Sequence, residues 1–461
     1  MSALAAALRV NTKLTKLSLV GNRIGAAGAH DLADALEDCP DSMLLDLDLR
    51  DNRLGAQGAQ ELGRALRENE TLTRCDLSWN QIGPQAVLGL LSALRDNFVL
   101  RELCVCGLDS AAARALADGV RNHASIHTLE LENNPLGPIG GQALAECLAT
   151  SAALTYLNLS WAQLGDDGVI PFRDALMRNK SIERLDLRGN ELRVRGVVAI
   201  AEGLRRTATL RELHLRWNSI SPAGAEALAV ALEINQSLRL LDIEHHTMGS
   251  RGAAAFAAML EQNKHLEHLN MSGADSDDAL EAGPGISSEQ ATRIAQALTH
   301  TNRSLRILHI GANRIDAEAA AQFGEVLKIN KVLTTLDLSR SALDSKKAPR
   351  FFACLSVNSS LQHLNLAHNR IGNEGLVACI RALELNRTLR ELNLGYNALT
   401  EEPMALLATK LHASKRTITS ALEWLCLTGN VMTDRTRRLY LTLPASIIAM
   451  ELNDKQDEQD D

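Results

Sequence analysis

Large rings are scarce in this sequence. Aromatic side chains are 3% of its 461 residues, so a core of stacked rings is excluded, and the interior must be filled by Leu, Ile, Val and Ala within an apolar content of 46%. Long apolar runs are missing too. No window of about eighteen residues is apolar and free of charge, and the first residues, MSALAAALRVN, have neither a basic n-region nor a long apolar h-region. The expectation is a soluble, cytoplasmic chain with no membrane contact. There is no cationic excess: the net charge is -8, without the Lys/Arg stripe of a nucleic-acid reader. Eight cysteines include no CxxC pair, which argues against zinc and dithiol redox motifs and for reduced, mostly buried thiols. Cys104 and Cys106 are placed on the open side of a strand, because residues two apart share a face.

Catalytic signatures are equally absent. The sequence has no GxxxxGK[ST] loop, no GxGxxG after a strand, no GxSxG elbow and no HExxH helix. Neither an enzyme, a cofactor, a metal nor a small-molecule substrate is expected. Asp275, Asp277 and Asp278 start like a calcium loop, but residue 279 is Ala and no Glu follows at the required distance. His268, His309, His363, His368, His245 and His246 are expected to be polar surface residues.

What the chain does contain is repetition. In residues 360 to 386, SLQHLNLAHNRIGNEGLVACIRALELN, the first half reads LxxLxLxxN and the second has the apolar spacing of a helix. The first leucine of that motif, or its substitute, recurs from Leu14 to Leu422, and ten of the fourteen intervals are 28 residues. On a strand, Leu364 and Leu366 share the inward face, and Leu361 enters from the preceding turn. Asn369 sits at the corner where the chain turns, where its amide can bond nearby backbone. Asn holds ten such corners; Leu108, Ala162, His246, Ala274 and Ser341 replace it in five, which therefore need other hydrogen-bond partners. Helices are wider than strands, so a strand-plus-helix stack bends with its strands inside. The predicted fold is an α/β solenoid of about 15 repeats, a horseshoe with a parallel β-sheet on the concave face and helices on the convex face.

The repeats are expected to form a single domain over residues 1–452, with Ile447, Met450 and Leu452 as a closing strand. Repeat four is two residues short, which predicts a tighter turn. An acidic, glycine-bearing insertion at about 274–285 leaves the stack as a loop, and a smaller one surrounds SKRTITS before the last full repeat. The tail 453–461 is acidic and expected to be disordered. The sequence opens on the helix half of a unit, so that helix caps the stack, a partner covers it, or the chain extends upstream.

Repeats of LxxLxLxxN followed by GxxGAxxLAxAL resemble the ribonuclease-inhibitor-type leucine-rich repeats, over about residues 2 to 452. Similar repeats occur in NLR sensors, in the GTPase-activating protein for Ran and in leucine-rich axonemal subunits. The resemblance implies a non-catalytic scaffold for a protein partner, such as a subunit of a ciliary or flagellar axoneme. It also implies two alternatives, a Ran-type GTPase activator or the recognition region of an NLR-like sensor. Against the first, the activator's catalytic arginine motif has no match here; against the second, no nucleotide-binding motif is present.

Partner contacts are expected on the concave face, where side chains between the leucines project. Among them are Asp48, Glu130, Glu132, Arg188, Arg216 and Glu244, and acids outnumber bases, which favours a partner with a basic surface. Trp79, Trp161 and Trp217 each directly precede the corner position, as does Tyr396, while Tyr156 and Trp424 lie on strands. From strand spacing, Trp161 and Trp217 should be roughly 10 Å apart, within one partner footprint. The alternative is that these rings pack over neighbouring turns and serve the fold.

Overall fold

The computed structural model describes the chain apart from residues 40, 84–86, 88–89, 91–93, 246–247, 274–284, 413–420, 444–448 and 452–461; of 449–451 it describes the backbone. The acidic insertion, the SKRTITS segment, the tail, His246, Ile447 and Leu452 therefore lie wholly or almost wholly outside the described residues. Two compact units, Met1–Ile220 and Ser221–Asp461, share one plan.

In the first unit, β1 (Lys16–Ser18), β2 (Asp46–Asp48), β3 (Arg74–Asp76), β4 (Glu102–Cys104), β5 (Thr128–Glu130), β6 (Tyr156–Asn158), β7 (Arg184–Asp186) and β8 (Glu212–His214) pair in parallel in chain order. The second unit repeats this with β9 (Leu240–Asp242), β10 (His268–Asn270), β11 (Ile307–His309), β12 (Thr335–Asp337), β13 (His363–Asn365), β14 (Glu391–Asn393), β15 (Trp424–Cys426) and β16 (Ala449–Glu451). The parallel strand–helix solenoid anticipated from the leucines is what each unit shows, and β16 supplies the backbone of the closing strand. Equivalent residues pair whatever the repeat length. Tyr156 faces Arg184, and His268 faces Ile307 even though the insertion separates them in sequence, so the leucine layers stay stacked.

From β2 to β15 the central strand residue is buried, and it is a leucine except for Cys75 in β3. In β7, Leu185 has no solvent exposure, nor have Ile182 before it and Leu187 after it, so every repeat adds one such three-residue layer. Burying one leucine side chain contributes about 2–3 kcal/mol. Helices such as Gly55–Glu68 and Pro222–Ile234 cover the layers through Ala and Leu; Ala225, Leu228 and Leu232 are fully buried. Small residues on that face let successive helices approach closely.

Two rows of hydrogen bonds stitch the layers. At the corner, the Asn190 amide donates to the carbonyls of Leu159 (2.7 Å) and Arg188 (3.1 Å), and its Oδ1 accepts from the N–H groups of Ala162 and Leu164 (both 3.2 Å). From Asn52 on, the corner Asn thus serves the repeat before it. Among the described corners that lack Asn, Leu108 is satisfied the same way by Asn134, Ala162 by Asn190 and Ser341 by Asn369. In the repeat before Leu108, the N–H of Trp79 donates to the Cys106 sulfur. The shortened fourth repeat does turn sooner, its helix starting at Ser110 with the Asp109 carboxylate accepting from the Ala112 N–H at 2.9 Å.

The second row runs along the opposite edge, three residues before each first leucine. Asn97 donates to the carbonyls of Leu66 (2.7 Å) and Asn69 (3.1 Å) and accepts from the N–H groups of Val99 and Leu100. Asn179, Asn263, Asn330, Asn358 and Asn386 repeat the pattern. In one repeat His123 takes this place: its Nε2 bonds the Leu94 carbonyl at 2.8 Å, and its Nδ1 accepts from Ser125 and Ile126. That arrangement requires a neutral imidazole carrying its proton on Nε2.

Candidate protein-binding surface

The residues flanking each central leucine face away from the helices, and their chemistry differs by position. The third strand residue is often Asp or Asn, and its side chain turns back to accept the N–H two residues on. Asp48 does so with Arg50 (3.1 Å), Asp76 with Ser78 (3.0 Å), Asp186 with Arg188 (3.1 Å) and Asn393 with Gly395 (3.0 Å). Asp48 is therefore buried and held by the Arg50 guanidinium at 2.7 Å, rather than projecting. Burial works to raise its carboxyl pKa, but the Arg50 hydrogen bonds outweigh that and lower it. Arg188, also expected to project, lies over the fully buried Asp186, with its Nη2 2.7 Å from Oδ2.

Arg74 crosses three strands, reaching Glu102 at 2.7 Å, Asp46 at 3.1 Å and Asp76 at 3.1 Å. Burial opposes its charge, yet the carboxylates prevail and raise its pKa. Next to it, Cys104 and Cys106, expected on the open side, are only 4% and 6% exposed. They do point to that side, but as the floor of a hollow of about 370 Å³ whose walls include Arg50, Arg74, Trp79, Glu130 and Glu132. Burial raises both thiol pKa values, and the Asp76 charge adds to the effect, so neither is a ready nucleophile.

The aromatic residues divide into two groups. On the strands, Tyr156 and Trp424 are half-buried, and the Tyr156 ring is covered by Arg184, whose guanidinium carbon lies 4.5 Å from the ring centroid. Burial, chiefly, raises the phenol pKa. Before the corners, Trp79, Trp161, Trp217 and Tyr396 are 59%, 46%, 45% and 49% exposed. All four have a left-handed backbone, with φ of +62°, +57°, +60° and +54°. Glycine stands at the same place in other repeats, as Gly21, Gly107, Gly189 and Gly429, where φ is also positive.

Three of those glycines follow an aromatic in the next repeat: Trp79 then Gly107, Trp161 then Gly189, Tyr396 then Gly429. At Gly189 a Cβ would stand 2.5 Å from the Trp161 ring, and at Gly429 one would stand 2.3 Å from the Tyr396 ring. In both cases the ring lies across the neighbouring glycine. Leaning in this way brings Trp161 within 6.3 Å of Trp217, centroid to centroid at 42°, closer than the roughly 10 Å expected from strand spacing. Tyr396 is stacked at 4.3 Å on His368, a neighbour the sequence reading missed. Arg216 and Glu244 are only partly exposed, each within its own unit. Among the described residues no group of His, Cys, Asp and Glu is arranged to hold a metal, and no helix is long and apolar enough to cross a membrane.

The family model described as "Leucine Rich repeat" matches ten segments, residues 10–33, 41–63, 68–91, 122–145, 151–172, 178–201, 208–229, 235–257, 357–378 and 385–407, about half of the chain. The chain belongs to the leucine-rich repeat family. Human NACHT, LRR and PYD domains-containing protein 12 is 32% identical over 140 residues, 30% of this chain and 13% of that protein. Pig ribonuclease inhibitor is 29% identical over 136 residues, 29% of this chain and 30% of the inhibitor. The matched part thus spans less than a third of either relative. These leucine-rich repeats are of the ribonuclease-inhibitor type, and such repeats make a protein-interaction scaffold. A crystal structure of the Rad7 and Elc1 complex in yeast aligns with 95% of this chain and 85% of that chain, at a TM-score of 0.44 and 13% identity.

Proposed function

We propose that this leucine-rich repeat protein is a non-catalytic binding subunit that holds a protein partner against its strand face and the aromatic rim beside it. One observation carries the reading: Trp161 and Trp217 stay half-exposed, side by side, at backbone positions where glycine would be relaxed. A non-glycine residue there costs about 1 kcal/mol, so the rings are retained against a local backbone preference. Exposed Trp and Tyr are over-represented among binding hot spots. Unpaired acids on the same face favour a basic partner, acting mainly on association rate. Membership of a large assembly such as an axoneme belongs to this proposal and rests on family resemblance alone.

The test is capture from native extract on the immobilised full chain, compared with Trp161→Ala/Trp217→Ala. Loss of most of a specific partner, with the melting temperature within a few degrees of wild type, supports the reading. Equal capture by the variant, or a large fall in melting temperature, refutes it. Stimulated GTP hydrolysis by a Ran-type GTPase would replace it with the activator alternative.

A further inference from the structure

The hollow beside Trp79 exists because of what the fourth repeat omits. Where its neighbours carry Asp76, Ser78 and Trp79 on one side and Glu130, Glu132 and Asn133 on the other, it carries Cys104, Cys106 and Gly107. Three small residues in register leave a gap of about 370 Å³ floored by sulfur and walled by an indole and carboxylates. The cations in the wall are already matched: Arg74 by Asp46, Asp76 and Glu102, and Arg50 by Asp48 and Asp76. Glu130 and Glu132 are not. Among the described residues neither forms an ion pair; Glu130 accepts a hydrogen bond from Asn158 at 3.0 Å, and Arg188, which feels the Glu132 charge, is itself held by Asp186. Counting the residues that hold Arg50 and Arg74, six carboxylates surround two guanidiniums, so the field in the hollow is negative.

We infer that this hollow receives one arginine side chain of a basic partner, its guanidinium against the Trp79 ring and between Glu130 and Glu132. Trp79 is 59% exposed, and an indole face attracts a guanidinium both as a cation and as a plane. Two carboxylates without a cation offer the charge-assisted hydrogen bonds that a guanidinium fork needs. The thiol floor suits the aliphatic stem, which buries its methylenes while the head group stays polar. An anionic guest is disfavoured, since Arg50 and Arg74 have no free charge to offer it. The inference rests on the strand face being the binding surface, and it names what one subsite of that face takes.

The test needs no partner, so it can fail independently of the capture experiment. The full chain is labelled with 5-fluorotryptophan, and the Trp79 fluorine signal is assigned by its loss in Trp79→Phe. Agmatine, a guanidinium on a butyl chain that ends in a second, ammonium cation, is titrated to about 100 mM at constant ionic strength beside butylamine as the ammonium control, because a single side-chain analogue binds weakly. Propionate serves as the anionic control. A saturable shift of the Trp79 signal is expected, with the affinity reduced at least about fivefold in Glu130→Gln/Glu132→Gln and the Trp424 signal unmoved. Far-UV circular dichroism confirms that the variant is folded. No saturable shift, equal affinity in the double variant, or a response to propionate or butylamine as strong as that to agmatine overturns the inference.

Discussion

Replacing Gly189 by alanine adds one methyl group and tests the aromatic rim directly. The methyl meets two obstacles. Its backbone has φ +63°, which costs an alanine about 1 kcal/mol, and its Cβ would stand 2.5 Å from the Trp161 ring. The indole must therefore swing away. Trp161 is 46% exposed, so about half of a side chain that can bury 150–250 Å² is covered, and full expulsion would lose at most about 3 kcal/mol at roughly 25 cal/mol per Å². Gly189→Ala should thus cost about 2–3 kcal/mol in the native background but only about 1 kcal/mol when Trp161→Ala is already present. The difference, about 1–2 kcal/mol, is the coupling between ring and glycine. Urea unfolding of the four proteins, followed by far-UV circular dichroism, yields the cycle. The exciton signal of the Trp161–Trp217 pair should weaken in Gly189→Ala. Costs that add to within about 0.5 kcal/mol would show that the ring does not rest on Gly189, and the account of why these indoles stand where they do would fall.

Other expectations are as direct. Asn369→Ala removes an amide that donates to Leu338 and Leu366 and accepts from Ser341 and Leu343, so several buried groups lose partners and stability should fall by about 3 kcal/mol or more, measured by urea unfolding. Leu185→Ala, which opens a cavity in a fully buried layer, should cost about 2–5 kcal/mol by the same measurement. His123 is held neutral, its pKa lowered chiefly by burial and only partly restored by the hydrogen bond to the Leu94 carbonyl. Its unfolded value is about 6.5, so its contribution is complete above that pH and is lost as pH falls toward the lower folded value. In His123→Asn, which restores the residue found in neighbouring repeats, stability between pH 6.5 and 5 should fall less steeply than in wild type; parallel pH profiles would refute the neutral-imidazole assignment.

Much of the fold was legible because its signal is repeated. Leucines at fixed spacing announce the strands, and an insertion disturbs the interval without disturbing the register, as His268 and Ile307 show. What escaped was the chemistry that alternation does not encode. Asp48 and Asp186 occupy outward strand positions, yet each carboxylate folds back onto the N–H two residues ahead and takes an arginine with it. Cys104 and Cys106 face outward as their spacing requires, but their larger neighbours roof them. The asparagines three residues before each first leucine resemble ordinary loop residues until the carbonyls of the preceding repeat come within reach. Ring positions were legible but ring separation was not, since indoles lean where a glycine admits them.

The corner asparagines also give the chain a direction of dependence. Because Asn190 closes the turn at Ala162 and Asn369 closes the turn at Ser341, an injury at one corner should loosen amides about 28 positions upstream, with its own turn less affected. A lesion and its symptom would then sit one layer apart, and amide hydrogen exchange should show the fault travelling toward the first residue of the chain and never toward the last.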